Sequence, residues 1–252
     1  MNTTKDEMFS KVPEVTLIFW IMKILATTLG EIGGDALSMS MNLGYLVSTG
    51  IFAILFLIAV TIQITARKFH PIIYWLTIIA TTTIGTTMAD FADRSLHIGY
   101  AGGTALLFTL LMTSLFVWHR ALGSIAVNTV SSPKSEMFYW VTIMFSQTLG
   151  TALGDWTADT AGIGYVRGAM VFGGMLLIIA LLYYRSKISR TGLFWAAFIL
   201  TRPLGAVVGD FLDKPIGKGG LEISRFAGSG VILALILVLV FVLPHRAARK
   251  AH

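Results

Sequence analysis

Residues 19–38 read FWIMKILATTLGEIGGDALS, and the same frame returns as YWLTIIATTTIGTTMAD (74–90), YWVTIMFSQTLGTALGD (139–155) and FWAAFILTRPLGAVVGD (194–210). Every copy sets Gly ten and Asp fifteen residues after its Trp: Trp20 to Gly30 and Asp35, Trp75 to Gly85 and Asp90, Trp140 to Gly150 and Asp155, Trp195 to Gly205 and Asp210. The copies start 55, 65 and 55 residues apart, which makes two halves, 1–125 and 126–252, offset by 120 residues. Self-similarity at a fixed period dictates architecture before any motif identifies a chemistry.

Between its aspartates the chain is too apolar for a water-soluble domain. Of its 252 residues 55% are hydrophobic and 13% charged, against roughly 45–50% and 25% in soluble proteins. Eight apolar segments, near 15–34, 45–66, 71–89, 101–119, 137–154, 166–184, 192–209 and 224–243, are each long enough as helix to cross a hydrocarbon core of about 30 Å. The expectation is an all-α integral membrane protein in one transmembrane domain. Its eight spans form four helical-hairpin repeats with a pseudo-twofold axis along the membrane normal, helices satisfying their own backbone groups as lipid requires. The first segment belongs to the repeat and follows the mixed charges Lys5, Asp6, Glu7 and Lys11, so it reads as a span and not as a cleaved leader. No cysteine is present, which excludes disulfides and thiolate metal ligands.

Twelve Lys and Arg fall in the N-terminus, the 2–3, 4–5 and 6–7 connections and the C-terminus, and five in the opposite loops. By the positive-inside rule both termini are expected in the cytoplasm, with the chain in a cytoplasmic (inner) membrane. The net charge of +6 is then an anchoring signature among short loops, not a nucleic-acid surface. Nine of thirteen carboxylates (Glu31, Asp35, Asp90, Asp93, Asp155, Asp159, Asp210, Asp213, Glu222) sit toward the opposite face, which should attract cations. Asp93, Asp159, Asp213 and Glu222 read as hydrated loop residues or caps.

Counting from each Trp, steps 7, 11 and 15 share one helix face. They read Thr27–Glu31–Asp35, Thr82–Thr86–Asp90, Gln147–Thr151–Asp155 and Arg202–Ala206–Asp210, polar at eleven of twelve positions. Steps 10 and 14 give the small pairs Gly30–Gly34, Gly85–Ala89, Gly150–Gly154 and Gly205–Gly209, which allow close helix approach. Helices 1, 3, 5 and 7 are therefore expected as an inner bundle around a polar axis, with the even helices outside. The threonines read first as interhelical hydrogen-bond glue, Lys23 equally as a snorkelling or a bundle residue, and Trp20, Trp75, Trp140 and Trp195 as an interfacial aromatic belt.

Departures from the repeat carry the chemistry. Glu31 is unique to the first copy, and Arg202, followed by Pro203, replaces Thr27, Thr82 and Gln147 of the others. A guanidinium at mid-span cannot shed its proton and must find an anion, while Pro203 should kink the seventh helix. Oxygen ligands without histidine in the stripe suit hard divalent cations; His70, His119, His245 and His252 read on the cytoplasmic side and His97 in an outer loop.

The four blocks quoted at the outset resemble a bacterial membrane-protein repeat family of unknown function across essentially the whole chain, with the T-x-G-E-x-x-G-D core of Thr28–Asp35 as the specific element. The resemblance implies the four-hairpin membrane organisation and no particular activity. Glu31–Asp35 is also similar to the Glu-x-Gly-Asp motif of manganese and calcium exchanger-like families, with one residue more between the acids and no Lys or Arg after Asp35.

The functional expectation is a transporter of a hard divalent cation, Mn²⁺ first. Asp35, Asp90, Asp155 and Asp210 form its ion-attracting ring and with Glu31 are the expected metal ligands, Thr27 and Gln147 join them in the ion-binding site, Glu31 is also the protonatable coupling residue and Arg202 an internal counter-charge. The partners expected are lipid, the transported metal ion or small cation and a second copy of the chain, with no resident cofactor and no nucleic acid. The alternatives are a non-transporting scaffold or regulator with a dry bundle, and a carrier of a small organic cation with aromatic walls. An enzyme is not expected, since the sequence holds no nucleophile–base pair, nucleotide loop or His-rich metal motif.

Overall fold

A computed structural model describes residues 10–96 and 99–249. His97, Lys5, Asp6, Glu7, Lys250 and His252 lie outside the described residues. These fold into eight α-helices: α1 (Leu17–Asp35), α2 (Gly44–Thr65), α3 (Pro71–Asp90), α4 (Tyr100–Leu122), α5 (Pro133–Asp155), α6 (Tyr165–Arg185), α7 (Arg190–Asp213) and α8 (Arg225–Val242). Among the described residues there is no β-strand, only an isolated bridge between Pro13 and Ala247.

The odd helices start at defined caps. Thr16, Ser132 and Ser189 accept bonds from the backbone N–H of Phe19, Ser135 and Gly192, and Pro71 and Pro133 occupy first-turn positions where a missing donor costs nothing. At the other end α1, α3 and α5 run into one wide π-helical turn directly after the repeat aspartate, over Ala36–Ser40, Phe91–Ser95 and Trp156–Thr160. α7 instead stays α-helical through Pro203 to Asp213.

Among the described residues seven helices are long and apolar enough to cross a membrane. The expected eighth, α5, is the exception. It carries Lys134, Glu136, Thr142, Ser146, Gln147, Thr148 and Thr151, which it can afford because α3, α4 and α7 enclose it. Burial separates the classes: 61%, 67% and 72% of the spans containing α1, α3 and α7 is buried, against 11–17% for α2, α4, α6 and α8. The even helices expose aliphatic and aromatic side chains such as Leu57, Phe116, Leu177 and Phe241.

The inner helices close a ring in which α1 packs on α3, α3 on α5, α5 on α7 and α7 on α1. The outer helices correct the hairpin expectation. α2 packs on α3, α4 on α5 and α6 on α7, and α8 returns to α1, so each leans on the odd helix of the next repeat. The links 66–70 and 186–189 are short, and short connections make antiparallel neighbours. Between α1 and α2 the chain first runs through the π-turn Ala36–Ser40.

The tryptophans do not form an interfacial belt. Trp75, Trp140 and Trp195 are buried with Tyr74, Tyr139, Phe19, Phe194, Phe198 and Trp118 in one aromatic layer. Tyr74 and Tyr139 share a hydroxyl hydrogen bond of 2.7 Å and Trp195 Nε1 donates to the Ile125 carbonyl at 3.0 Å. Only Trp20 stays half-buried. Trp75, Trp140 and Trp195 lie on inward helix faces and plug the end of the bundle where the odd helices begin. The first and last described segments meet at this end: Lys11 N–H donates to the Val130 carbonyl, Glu14 N–H to the Arg246 carbonyl and Ala248 N–H to the Val12 carbonyl. Lys11 Nζ pairs with the buried Glu136 at 2.7 Å.

Candidate functional site

The small stripe sets the spacing of the ring. A Cβ on Gly30 would collide with Thr82, on Gly85 with Gln147, on Gly150 with Arg202 and on Gly205 with Thr27. At each of the four helix contacts the step-10 glycine of one repeat thus receives the step-7 side chain of the next. One turn on, Gly34 receives Thr86, Gly154 receives Ala206 and Gly209 receives Glu31. All twelve positions of the polar stripe are buried, so the bundle axis is lined layer by layer by chosen residues.

The upper layer is acidic. Oxygens of Glu31, Asp155 and Asp210 come within 4.8 Å of one another, as do those of Asp35, Asp210 and Asp213. Asp90 stands beside them in an ion pair. Arg94 bridges it at 3.0 Å to Asp155 at 3.3 Å. Lys214 likewise joins Asp210 at 2.9 Å to Asp35, and Arg225 pairs with Asp213. Burial opposes a charge on Lys214, yet Asp210, Asp35 and Asp213 outweigh it and hold its proton well above the ordinary lysine range.

Below this layer, the fully buried Arg202 directs Nη2 to Glu31 at 2.9 Å and to the hydroxyl oxygens of Thr86 and Thr151. The six carboxylates Glu31, Asp35, Asp90, Asp155, Asp210 and Asp213 face the four cations Arg94, Arg202, Lys214 and Arg225, leaving a formal charge of −2. One divalent cation or two protons would neutralise it.

A family model described as a Repeat of Unknown Function (DUF347) matches residues 18–69, 73–123, 138–189 and 193–249. The chain belongs to this repeat family. No curated protein and no solved structure matches it. Each matched DUF347 stretch holds one odd and one even helix, and the roof cations join neighbouring stretches. Arg94 of the second repeat reaches Asp155 of the third, and Lys214 of the fourth reaches Asp35 of the first. Arg94 and Lys214 are themselves 120 residues apart, as are Asp90 and Asp210, and Asp35 and Asp155.

Of the residues singled out in the sequence, Glu31, Asp35, Asp155 and Asp210 come together, Asp90 joins them through Arg94, and Arg202 reaches Glu31. Thr27 does not turn to the acids: its hydroxyl lies within hydrogen-bonding reach of the carbonyl oxygens of Lys23, Ile24 and Thr201. Gln147 is buried with neither amide atom bonded.

Asp213 and Asp93 correct the loop reading, for both are buried, whereas Asp159 and Glu222 are exposed as expected. Lys23 does not snorkel; it is buried in the bundle with Nζ 4.1 Å from the Phe198 ring centroid. Sequence reasoning missed the roof cations, although Arg94 and Lys214 follow Asp90 and Asp210 at i,i+4, a spacing that places charges side by side on a helix. A groove of about 570 Å³ between α1, α6 and α7 is walled by Trp20, Tyr183, Tyr184 and Phe194. Arg190, 4.3 Å over the Tyr183 ring, makes its aromatic wall a poor seat for an organic cation.

Proposed function

We propose that this DUF347 chain is an integral membrane carrier for a hard divalent cation, with Mn²⁺ the first candidate. It would bind on the axis between α1, α3, α5 and α7. The observation that carries the reading is the convergence of Glu31, Asp155 and Asp210 oxygens within 4.8 Å in a buried layer of formal charge −2. Hard cations take several oxygen ligands, and one divalent ion removes the excess charge. The exposed apolar faces of the even helices support a bilayer around the bundle. The basic loops and the shared side of both described chain ends support cytoplasmic termini in a cytoplasmic (inner) membrane.

In this reading Glu31 takes up a proton when the cation leaves, and Arg202 keeps the unloaded layer from excess negative charge. The aromatic layer is the closed gate on the side where the odd helices begin. The 120-residue offset of the Arg94 and Lys214 bridges supports two halves that rock about a pseudo-twofold axis. The same bridges favour a second reading, a non-transporting scaffold, because they compensate most of the acidic charge without a guest.

Uptake of Mn²⁺ by proteoliposomes containing the purified chain and an enclosed metal-sensitive dye separates the two. Expected is saturable uptake lost in Asp155→Asn and in Glu31→Gln; uptake no faster than in protein-free vesicles refutes the carrier.

A further inference from the structure

The layer beneath Glu31 has the opposite character from the acids above it. Lys23 is fully buried on α1 with no hydrogen-bond partner for Nζ. One helical turn farther along the axis Arg202 uses only Nη2, and its Nε and Nη1 are buried and unbonded. Thr82 Oγ1 and both amide atoms of Gln147 are unpartnered too. These atoms belong together, because Thr82, Gln147 and Arg202 hold the same register position on α3, α5 and α7. Each is fixed against a glycine of the preceding helix, at Gly30, Gly85 and Gly150. Lys23 is held one turn below by Phe198, which itself lies one turn before Arg202 on α7.

Buried polar groups find partners, and clusters that lack them within the protein mark a bound ion or water. The inventory here is rich in donors: an ammonium, two guanidinium nitrogens, a hydroxyl and an amide NH₂, with the Gln147 oxygen as the one dedicated acceptor. Charge points the same way. Within this layer Lys23 and Arg202 bring two positive charges against the one negative charge of Glu31, a local excess of +1, whereas the five aspartates above outnumber Arg94, Lys214 and Arg225 by two. Water would satisfy the donors and leave the excess charge. An anion satisfies both, and a doubly charged one would overshoot.

We propose that Lys23, Thr82, Gln147 and Arg202 form a buried site for one small monovalent anion of the halide class, held inside the odd-helix bundle beneath the carboxylate layer. The site stands on its own whether or not a cation crosses the acids above. It gives the two central cations a compensating charge, and it makes the stability of the bundle depend on the anion present.

The test is thermal unfolding of the purified full chain in detergent, followed by tryptophan fluorescence, with bromide or chloride replacing gluconate at constant ionic strength. Bromide-soaked crystals are examined in parallel for anomalous density. Halide is expected to raise the midpoint saturably by several degrees, as binding to the folded state alone requires. A bromide peak is expected beside Lys23 Nζ and Arg202. Lys23→Met, which keeps the length and removes the charge, should unfold at a halide-independent midpoint, and Gln147→Leu should need several-fold more halide for half the effect. If Lys23→Met does not fold, the wild-type titration and Gln147→Leu carry the decision. A wild-type midpoint indifferent to halide overturns the proposal, as does a halide effect unchanged in the variants or a site without bromide density.

Discussion

Glu31→Gln removes one charge from the centre of the bundle while keeping the shape and hydrogen-bonding capacity of the side chain. In the wild type its carboxylate lies 2.9 Å from Arg202 Nη2, with side-chain exposures of 4% and 0%. At that distance and an effective dielectric constant of about 20 the attraction is about 6 kcal/mol, and the lost hydration of both ions offsets much of it. Cutting one partner leaves the other charge buried alone, which costs about 3–5 kcal/mol. For a chain of this size that corresponds to a midpoint lower by about 6–20 °C. Arg202→Met should cost a similar amount by stranding Glu31 and by removing the donor to Thr86 and Thr151. The double variant has no stranded charge and should recover at least about 2 kcal/mol relative to the sum of the singles. Thermal unfolding of the four proteins in one detergent, read as a double-mutant cycle, gives the coupling. Single costs that add within about 0.5 kcal/mol would refute a paired Glu31 and Arg202.

The glycine seam makes a paired prediction. Gly150→Ala forces a Cβ into Arg202 and Pro203 and should cost about 1–3 kcal/mol, whereas Gly173→Ala on α6 meets open space and should be neutral or stabilising by up to about 1 kcal/mol; equal unfolding midpoints would contradict the seam. Lys214→Gln takes the carboxylate layer from −2 to −3, so titration calorimetry should show Mn²⁺ binding about tenfold tighter, with weaker binding arguing against a cation seat there. Tyr74→Phe leaves the Tyr139 hydroxyl without its partner and should lower stability by about 1–3 kcal/mol, an effect absent if the aromatic layer is not packed as described.

Much of the architecture could be read from the sequence because one register repeats. A Trp, a Gly ten residues on and an Asp fifteen on define a helix face at 3.6 residues per turn, and the four faces could satisfy their polar residues only by meeting one another. The pairing of Arg202 with a carboxylate followed from the same logic, since an unpaired guanidinium in an apolar interior is untenable. Which neighbour each even helix leans on was not legible, because α2, α4, α6 and α8 are mostly apolar and carry no repeated polar stripe that names a partner. The tryptophans were misleading for a related reason. Their sequence position at the start of an apolar run is the same for a belt as for a plug, and only the facing of the helix separates the two. Asp213 and Lys214 sit where the chain leaves α7 and Arg225 where α8 begins, and their convergence on Asp35 spans some 180 residues of sequence, beyond the reach of local spacing.

The most direct test of the carboxylate layer as a cation seat is the anomalous diffraction of crystals grown with Mn²⁺. The expected result is a single strong peak on the bundle axis, about 2.0–2.6 Å from oxygens of Glu31, Asp155 and Asp210, and missing from Asp155→Asn crystals. A folded wild-type protein with no density between those side chains at saturating Mn²⁺, or with manganese only at exposed loop carboxylates such as Asp159 and Glu222, would contradict it.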